Sequence, residues 1–173
     1  MRILVIGDPH GDLEKIKSIP IDKVDIILLT GDLGSANLMR KMAFENIERK
    51  KQGLKEIKYS SAQNKKGFME AYNSTLKLIN YLSKFAPVWT IFGNVESSDK
   101  KTRRLSKEWN IKLPFMADAL SKKKNVKIIN NTVNDFNNLK IGGLEFFKDI
   151  NWVKEFKPSD YKKEMEIAIK QTI

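Results

Sequence analysis

Ile3-Leu4-Val5-Ile6-Gly7-Asp8-Pro9-His10 opens the chain, and its pattern returns twice. Asp25-Ile26-Ile27-Leu28-Leu29 runs through Thr30 into Gly31-Asp32, and Val88-Trp89-Thr90-Ile91-Phe92 runs into Gly93-Asn94-Val95-Glu96. Each is a short apolar, β-prone run closed by glycine or a polar residue. The first, residues 2–6, reads as a parallel strand buried on both faces. In an open α/β sheet, ligands bind at the carboxyl ends of the strands. Three such strands bring the carboxylates of Asp8 and Asp32, the imidazole of His10 and the amide of Asn94 to one edge. Those donors suit a divalent metal, and a bridging carboxylate can hold two ions. Read singly, Asp8 and Asp32 also fit helix caps and His10 fits polar surface; the weight lies in three blocks in order.

The segments between these runs read as helices. Asp12 is placed to cap a short helix to about residue 18, with Glu14 in its first turn and Pro20 ending it. Leu38, Met39, Met42 and Ile47 recur at helical spacing, with Ser35 or Asn37 as the expected cap. Gly53 to Lys66 reads as a loop or hairpin excursion. Phe68, Met69, Tyr72, Leu76, Ile79 and Leu82 mark a strongly amphipathic helix. A basic helix is expected over about 100–109, a fourth strand at Val126 to Ile129, and a last helix from Ser159 or Asp160 holding Tyr161, Met165 and Ile169. Val133 to Phe136, Asn137-Asn138 and Leu139 to Phe147 read as a hairpin with an Asn-rich turn. Trp89 reads as core. Trp109 and Trp152 read as packing residues, with base stacking as the alternative. Alternating strands and helices argue for an α/β fold with right-handed crossovers, in a single domain over residues 1–173.

Composition narrows the classes. The 173 residues, 41% of them hydrophobic, suffice for one domain with a real core. There is no cysteine, which excludes disulfides and thiolate zinc sites and suits a reducing cytoplasmic interior. The apolar start ends at Gly7-Asp8, too short for a signal core or a membrane span, so no membrane partner is expected. The net charge of +11 offers a nucleic-acid surface as an alternative function. The lysines are scattered, however, and outnumber the arginines that read phosphate bidentately.

The order D-x-H, G-D and G-N-x-[DE], carried by Asp8, His10, Asp32, Asn94 and Glu96, resembles the calcineurin-like metallophosphoesterases over residues 1 to about 143. The resemblance implies a layered sheet and helix fold and a metal-dependent phosphoester hydrolase, phosphodiesterase or phosphatase. It implies divalent ions, two of them, drawn from Mn, Fe, Zn or Ni. Asp8 and His10 would bind one ion, Asp32 would bridge, Asn94 would bind the second, and Glu96 would hold Asn94 or its loop; an exposed loop carboxylate is the alternative for Glu96. Val95 stands where the family has a proton-donating histidine, which tilts the expectation toward diesters. The family's two later histidine motifs are absent, because His10 is the only histidine. The fold is therefore expected to be incomplete at its C-terminus, as a truncated chain, half of a split enzyme, or a binding scaffold without catalysis. Weak or no activity is expected of this chain alone, with no catalytic residue named. Self-association or a C-terminal partner chain is expected to cover apolar surface at Phe146-Phe147 and the last helix.

Overall fold

In the computed structural model, which describes residues 1–144, the apolar runs lie side by side as parallel strands. They are β1 Ile3–Ile6, β2 Ile26–Leu29, β3 Val88–Thr90 and β4 Val126–Ile128, in the spatial order β1-β2-β3-β4. The register sets Ile6 beside Leu29, Leu29 beside Thr90, and Thr90 beside Ile128. Helix α1 (Leu13–Lys17) links the first pair of strands, α2 (Asn37–Lys51) and α3 (Ser61–Leu82) the second, and α4 (Asp99–Glu108) and α5 (Met116–Ser121) the third. An antiparallel hairpin follows, β5 (Thr132–Phe136) and β6 (Leu139–Gly143). The α/β class expected from the sequence is the one observed.

Strand alternation sends Ile6, Ile27, Leu29 and Val88 to one face of the sheet, where Ile16 of α1, Leu78, Ile79 and Leu82 of α3, and Leu120 of α5 complete the main core. The opposite face carries Ile26, Trp89 and Ile129, covered by Ile141 and Phe136 of the hairpin. Trp89 is core, as expected: its ring meets Phe136 edge-on at 5.6 Å and takes the Lys127 ammonium at 5.0 Å. The hairpin closes tightly because its turn, Asn137-Asn138, adopts positive φ at both residues, 48° and 67°, as a tight two-residue hairpin turn requires. Gly143 then packs against Ile129, where a Cβ would strike the backbone carbonyl.

Four sequence expectations change. β1 is not buried on both faces: among the described residues it lies at the edge of the sheet, with Ile3 38% and Val5 59% exposed. A central strand has neighbours to cover it and an edge strand does not, and hydropathy alone does not distinguish them. The stretch before Phe68 is helical from Ser61, because Ser60 and Gln63 form a reciprocal capping box: the Gln63 N–H donates to Ser60 Oγ and the Ser60 N–H to Gln63 Oε1. The preceding link is pinned to α2 rather than projecting, since Asn46 both accepts from the Ile57 N–H (2.7 Å) and donates to its carbonyl (3.1 Å). Neither Ser35 nor Asn37 caps α2. Ala36 occupies the cap position, and Glu70 of α3 supplies the missing acceptor, taking the Leu38 N–H at 2.8 Å and the Ser35 hydroxyl at 3.1 Å. Asp12 does cap α1, accepting the Lys15 N–H. Helix α5 had no counterpart in the sequence reading. Phe146-Phe147, Trp152 and the expected last helix with Tyr161, Met165 and Ile169 lie outside the described residues.

Leu78 is fully buried between α3 and the sheet. Leu78→Ala is expected to destabilise the fold by about 2–5 kcal/mol, because it removes buried methyl groups and leaves a cavity. Phe44→Ser, at a position 61% exposed on α2, is expected to change stability by less than about 0.5 kcal/mol. Urea unfolding of the two variants side by side checks both values.

Candidate metal and phosphoester site

The loops leaving β1, β2 and β3 are stitched together by backbone before any side chain is considered. The His10 N–H donates to the Asp32 carbonyl (3.0 Å) and the Gly11 N–H to the Leu33 carbonyl (2.7 Å). Asp8, His10 and Asp32 all hold positive φ, at 43°, 45° and 48°. Left-handed backbone is unfavourable for residues with a Cβ and concentrates at functional sites. Gly31, at φ 97°, lies against Gly93, so that a Cβ there would come within 2.6 Å of the Gly93 nitrogen. A Cβ on Gly93 would in turn collide with Asp32. The second and third blocks of the sequence are thus in direct contact.

Glu96 locks this contact. Its side chain is buried, at 5% exposure. Oε1 accepts the N–H groups of Leu33 (2.9 Å) and Gly34 (3.1 Å) and the Thr75 hydroxyl (3.4 Å). Oε2 accepts the Gly93 N–H at 3.0 Å. One carboxylate therefore joins the loop after β2, the loop after β3 and helix α3. Burial pushes its carboxyl above the ordinary range, the bonds from Gly93, Gly34 and Leu33 pull it back, and the neighbouring Asp32 charge adds to the rise.

The four expected donors reach one cavity. Asp8, His10, Asp32 and Asn94 all line a space of about 1060 Å³, and Val95 lines it with them. Asp8 and His10 are exposed, and Asp32 and Asn94 are half-buried. Asp32 Oδ1 accepts the Val95 N–H at 2.9 Å, which fixes that carboxylate's orientation. Lys101 of α4 donates to the Asn94 carbonyl at 3.4 Å and borders the same cavity. Burial lowers the pKa of its ammonium first and nearby Arg104 lowers it further, while Glu96 and Asp32 oppose the fall. The shared cavity does not amount to a formed metal centre. Among the described residues, no three His, Asp or Glu side chains converge as an ion would need. The donors are of the right chemistry, but their present geometry does not fit a bound ion.

Sequence reading missed three contributors. Thr75 and Glu70 sit mid-helix, and nothing local marks them as supports for distant loops. Lys101 was visible only as one member of a basic helix. Its position beside Asn94 follows from α4 starting directly after the third loop, with Ser98 accepting the Lys101 N–H as its cap.

Glu96→Ala is expected to cost about 3 kcal/mol or more, because it strands the buried N–H groups of Leu33 and Gly34, the partly buried N–H of Gly93 and the Thr75 hydroxyl. Glu96→Gln is expected to cost less, since its carbonyl oxygen keeps part of the set while its amide hydrogens face a donor. Denaturant melts of the two variants give this order; equal costs would show that shape, not hydrogen bonding, sets the role of Glu96.

Comparison with known proteins agrees with this geometry at the level of fold and family. One solved crystal structure superposes with a TM-score of 0.57 at 11% identity, covering 97% of this chain and 63% of that one. This chain thus spans less than two thirds of that structure's length, and at such identity the likeness concerns the fold alone. No curated protein matches the sequence significantly. Among the described residues no helix is long and apolar enough to cross a membrane. The sequence model of the calcineurin-like phosphoesterases matches residues 1–168, well past the hairpin, and the chain belongs to that family of metal-dependent phosphoester hydrolases.

Proposed function

We propose that this chain is a phosphoester-hydrolysing domain that binds its substrate in the cavity beside Asp8, His10, Asp32 and Asn94, and that it hydrolyses weakly by itself. The observation that carries the reading is that those four side chains line one cavity at the carboxyl ends of three adjacent parallel strands. Divalent ions of the Mn, Fe, Zn or Ni class are the chemical match for carboxylate, imidazole and amide donors. The donors do not converge, which supports weak ion binding and completion of the site by a C-terminal partner chain or a second copy. Val95 has no proton to give. Protonation of the leaving group therefore falls to water, which favours diesters whose leaving group departs readily. The Lys101 ammonium, held beside Asn94, adds positive charge for the phosphoryl oxygens.

A second reading, a binding scaffold without turnover, draws on the same lack of convergence and on Val95. A nucleic-acid substrate draws on the net charge of +11 and on Lys100, Arg103 and Arg104 of α4. It requires affinity that falls steeply with salt.

Asp32→Asn is expected to be the most damaging change among the four donors. It should lower hydrolysis of bis-p-nitrophenyl phosphate under saturating Mn by on the order of 100-fold or more, beyond the loss usual for residues that merely support a ligand. Calorimetry that detects Mn binding without turnover selects the scaffold. Absence of Mn binding and of any thermal shift, together with an unchanged Asp32→Asn variant, removes the hydrolase reading.

A further inference from the structure

Helix α4 starts directly behind the loop that carries Asn94, and most of its cations are exposed: Lys100, Arg103, Arg104 and Lys107. Lys101 is the exception. The Ser98 cap accepts its N–H, which fixes it in the first turn of the helix. Helical side chains lean back toward the N-terminus, and that lean carries the Lys101 ammonium over the third loop. There it lies 3.4 Å from the Asn94 carbonyl and lines the cavity together with Asp8, His10, Asp32 and Asn94. Lys101 is half-buried, and removing an ammonium from water is costly unless negative groups offset the loss. Glu96 and Asp32 are such groups, and both attract it.

The second ion of a paired site would need this same place, between Asp32 and Asn94. Asp32 Oδ1 already accepts the Val95 N–H at 2.9 Å, so one oxygen of the expected bridge is engaged with backbone. The ammonium holds positive charge beside Asn94, and two cations a few ångströms apart repel strongly in a partly desolvated site. The charge balance points the same way. Asp8, Asp32 and Glu96 bring carboxylates to the polar end. Lys101 offsets one of them, a single divalent ion would neutralise the rest, and a second would leave an excess of positive charge. Arg40 of α2, on the same cavity, adds to that excess.

We propose that Lys101 is a built-in cation that takes the place of the second divalent ion, so that this chain holds at most one ion, on the side of Asp8 and His10. The proposal rests on the phosphoester reading above and changes its electrostatics: a protein ammonium, not an exchangeable ion, supplies the positive charge beside Asn94. It also accounts for the lack of convergence among the described residues, because Asp32 already has a cation to balance it.

The test is Mn binding by the full chain, read by calorimetry and by the electron spin resonance of bound Mn, in the wild type, Lys101→Met and Lys101→Arg. Lys101→Met keeps an unbranched apolar stem and drops the charge; Lys101→Arg keeps the charge. Melts in EDTA establish that each variant is folded, and Lys101→Gln replaces Lys101→Met if the latter is not. The wild type is expected to show no spin-coupled Mn pair. Lys101→Met is expected to bind Mn tighter by on the order of tenfold or more, or to gain a coupled pair, while Lys101→Arg matches the wild type. Mn is then expected to raise the melting temperature of Lys101→Met by more than that of the wild type, since a ligand of the folded state stabilises according to its affinity. A lysine with a merely structural role would shift the melts in EDTA and leave Mn affinity and ion count unchanged. A coupled Mn pair in the wild type overturns the proposal whatever the variants do. Mn binding that is the same with and without the ammonium, at any ion count, overturns it too. Lys101→Arg behaving like Lys101→Met shows that shape and not charge sets the effect, with the same consequence. None of these outcomes touches the phosphoester reading, which stands or falls on hydrolysis; absence of turnover removes that reading and leaves the ion count in place.

Discussion

A single buried carboxylate holds the functional edge of this protein together. Glu96 accepts from Leu33 and Gly34 with one oxygen and from Gly93 with the other, and the Thr75 hydroxyl closes the set from α3. Strand pairing alone aligns β2 and β3, but it ends at Leu29 and Thr90. Past that point the backbone N–H groups need acceptors, and Glu96 supplies them. Burying the charge is costly, which is why its pKa rises, and the ring of donors offsets much of that cost. The arrangement is a general solution for loops that must stay open toward a ligand: the hydrogen bonds come from behind the site, not from across it.

Tight approach follows from the same lock. Gly31 and Gly93 touch, and a Cβ on either would displace the other loop. Asp8, His10 and Asp32 are held in left-handed backbone, a conformation that costs energy and needs surrounding structure to maintain it. Here that structure is the bonding of the first loop to the second through His10 and Gly11, and of the second to the third through Glu96. Among the described residues, the side chains reach a common cavity without converging as an ion site.

The two faces of the sheet are treated unequally, and this shapes the rest of the molecule. One face is sealed by α1, α3 and α5. The other is covered by the hairpin over β2 to β4, while Ile3 and Val5 of β1 remain open among the described residues. Helix α2 stands apart from both layers. Its start is bonded to Glu70 of α3, Met39 packs against Gly67 of α3, and Asn46 ties its trailing link back to it at Ile57. A helix fastened in this way is free to turn apolar residues such as Phe44 and Ile47 toward a cavity instead of toward the core.

Much of this was legible from local pattern. Continuous apolar runs ending in Gly-Asp or Gly-Asn mark parallel strands and the loops that follow them. Asp12 marks a cap, and Asn137-Asn138 marks a tight hairpin turn, because these signals depend on neighbours a few residues away. The order of the three blocks identified the family for the same reason. What local pattern did not carry was everything decided across the fold. That β1 is an edge among the described residues depends on which strands lie beside it. That α2 is capped by Glu70, thirty-odd residues away, depends on how α2 and α3 pack. That Glu96 is buried and shared by two loops, that Lys101 stands over Asn94, and that helices far apart in sequence enclose a mostly apolar cavity next to the donors all depend on long-range contact. Residue type and spacing determined which groups meet at the sheet edge. Only the tertiary structure decided how near they come and what surrounds them, because burial and distance are properties of the packed chain and not of its order.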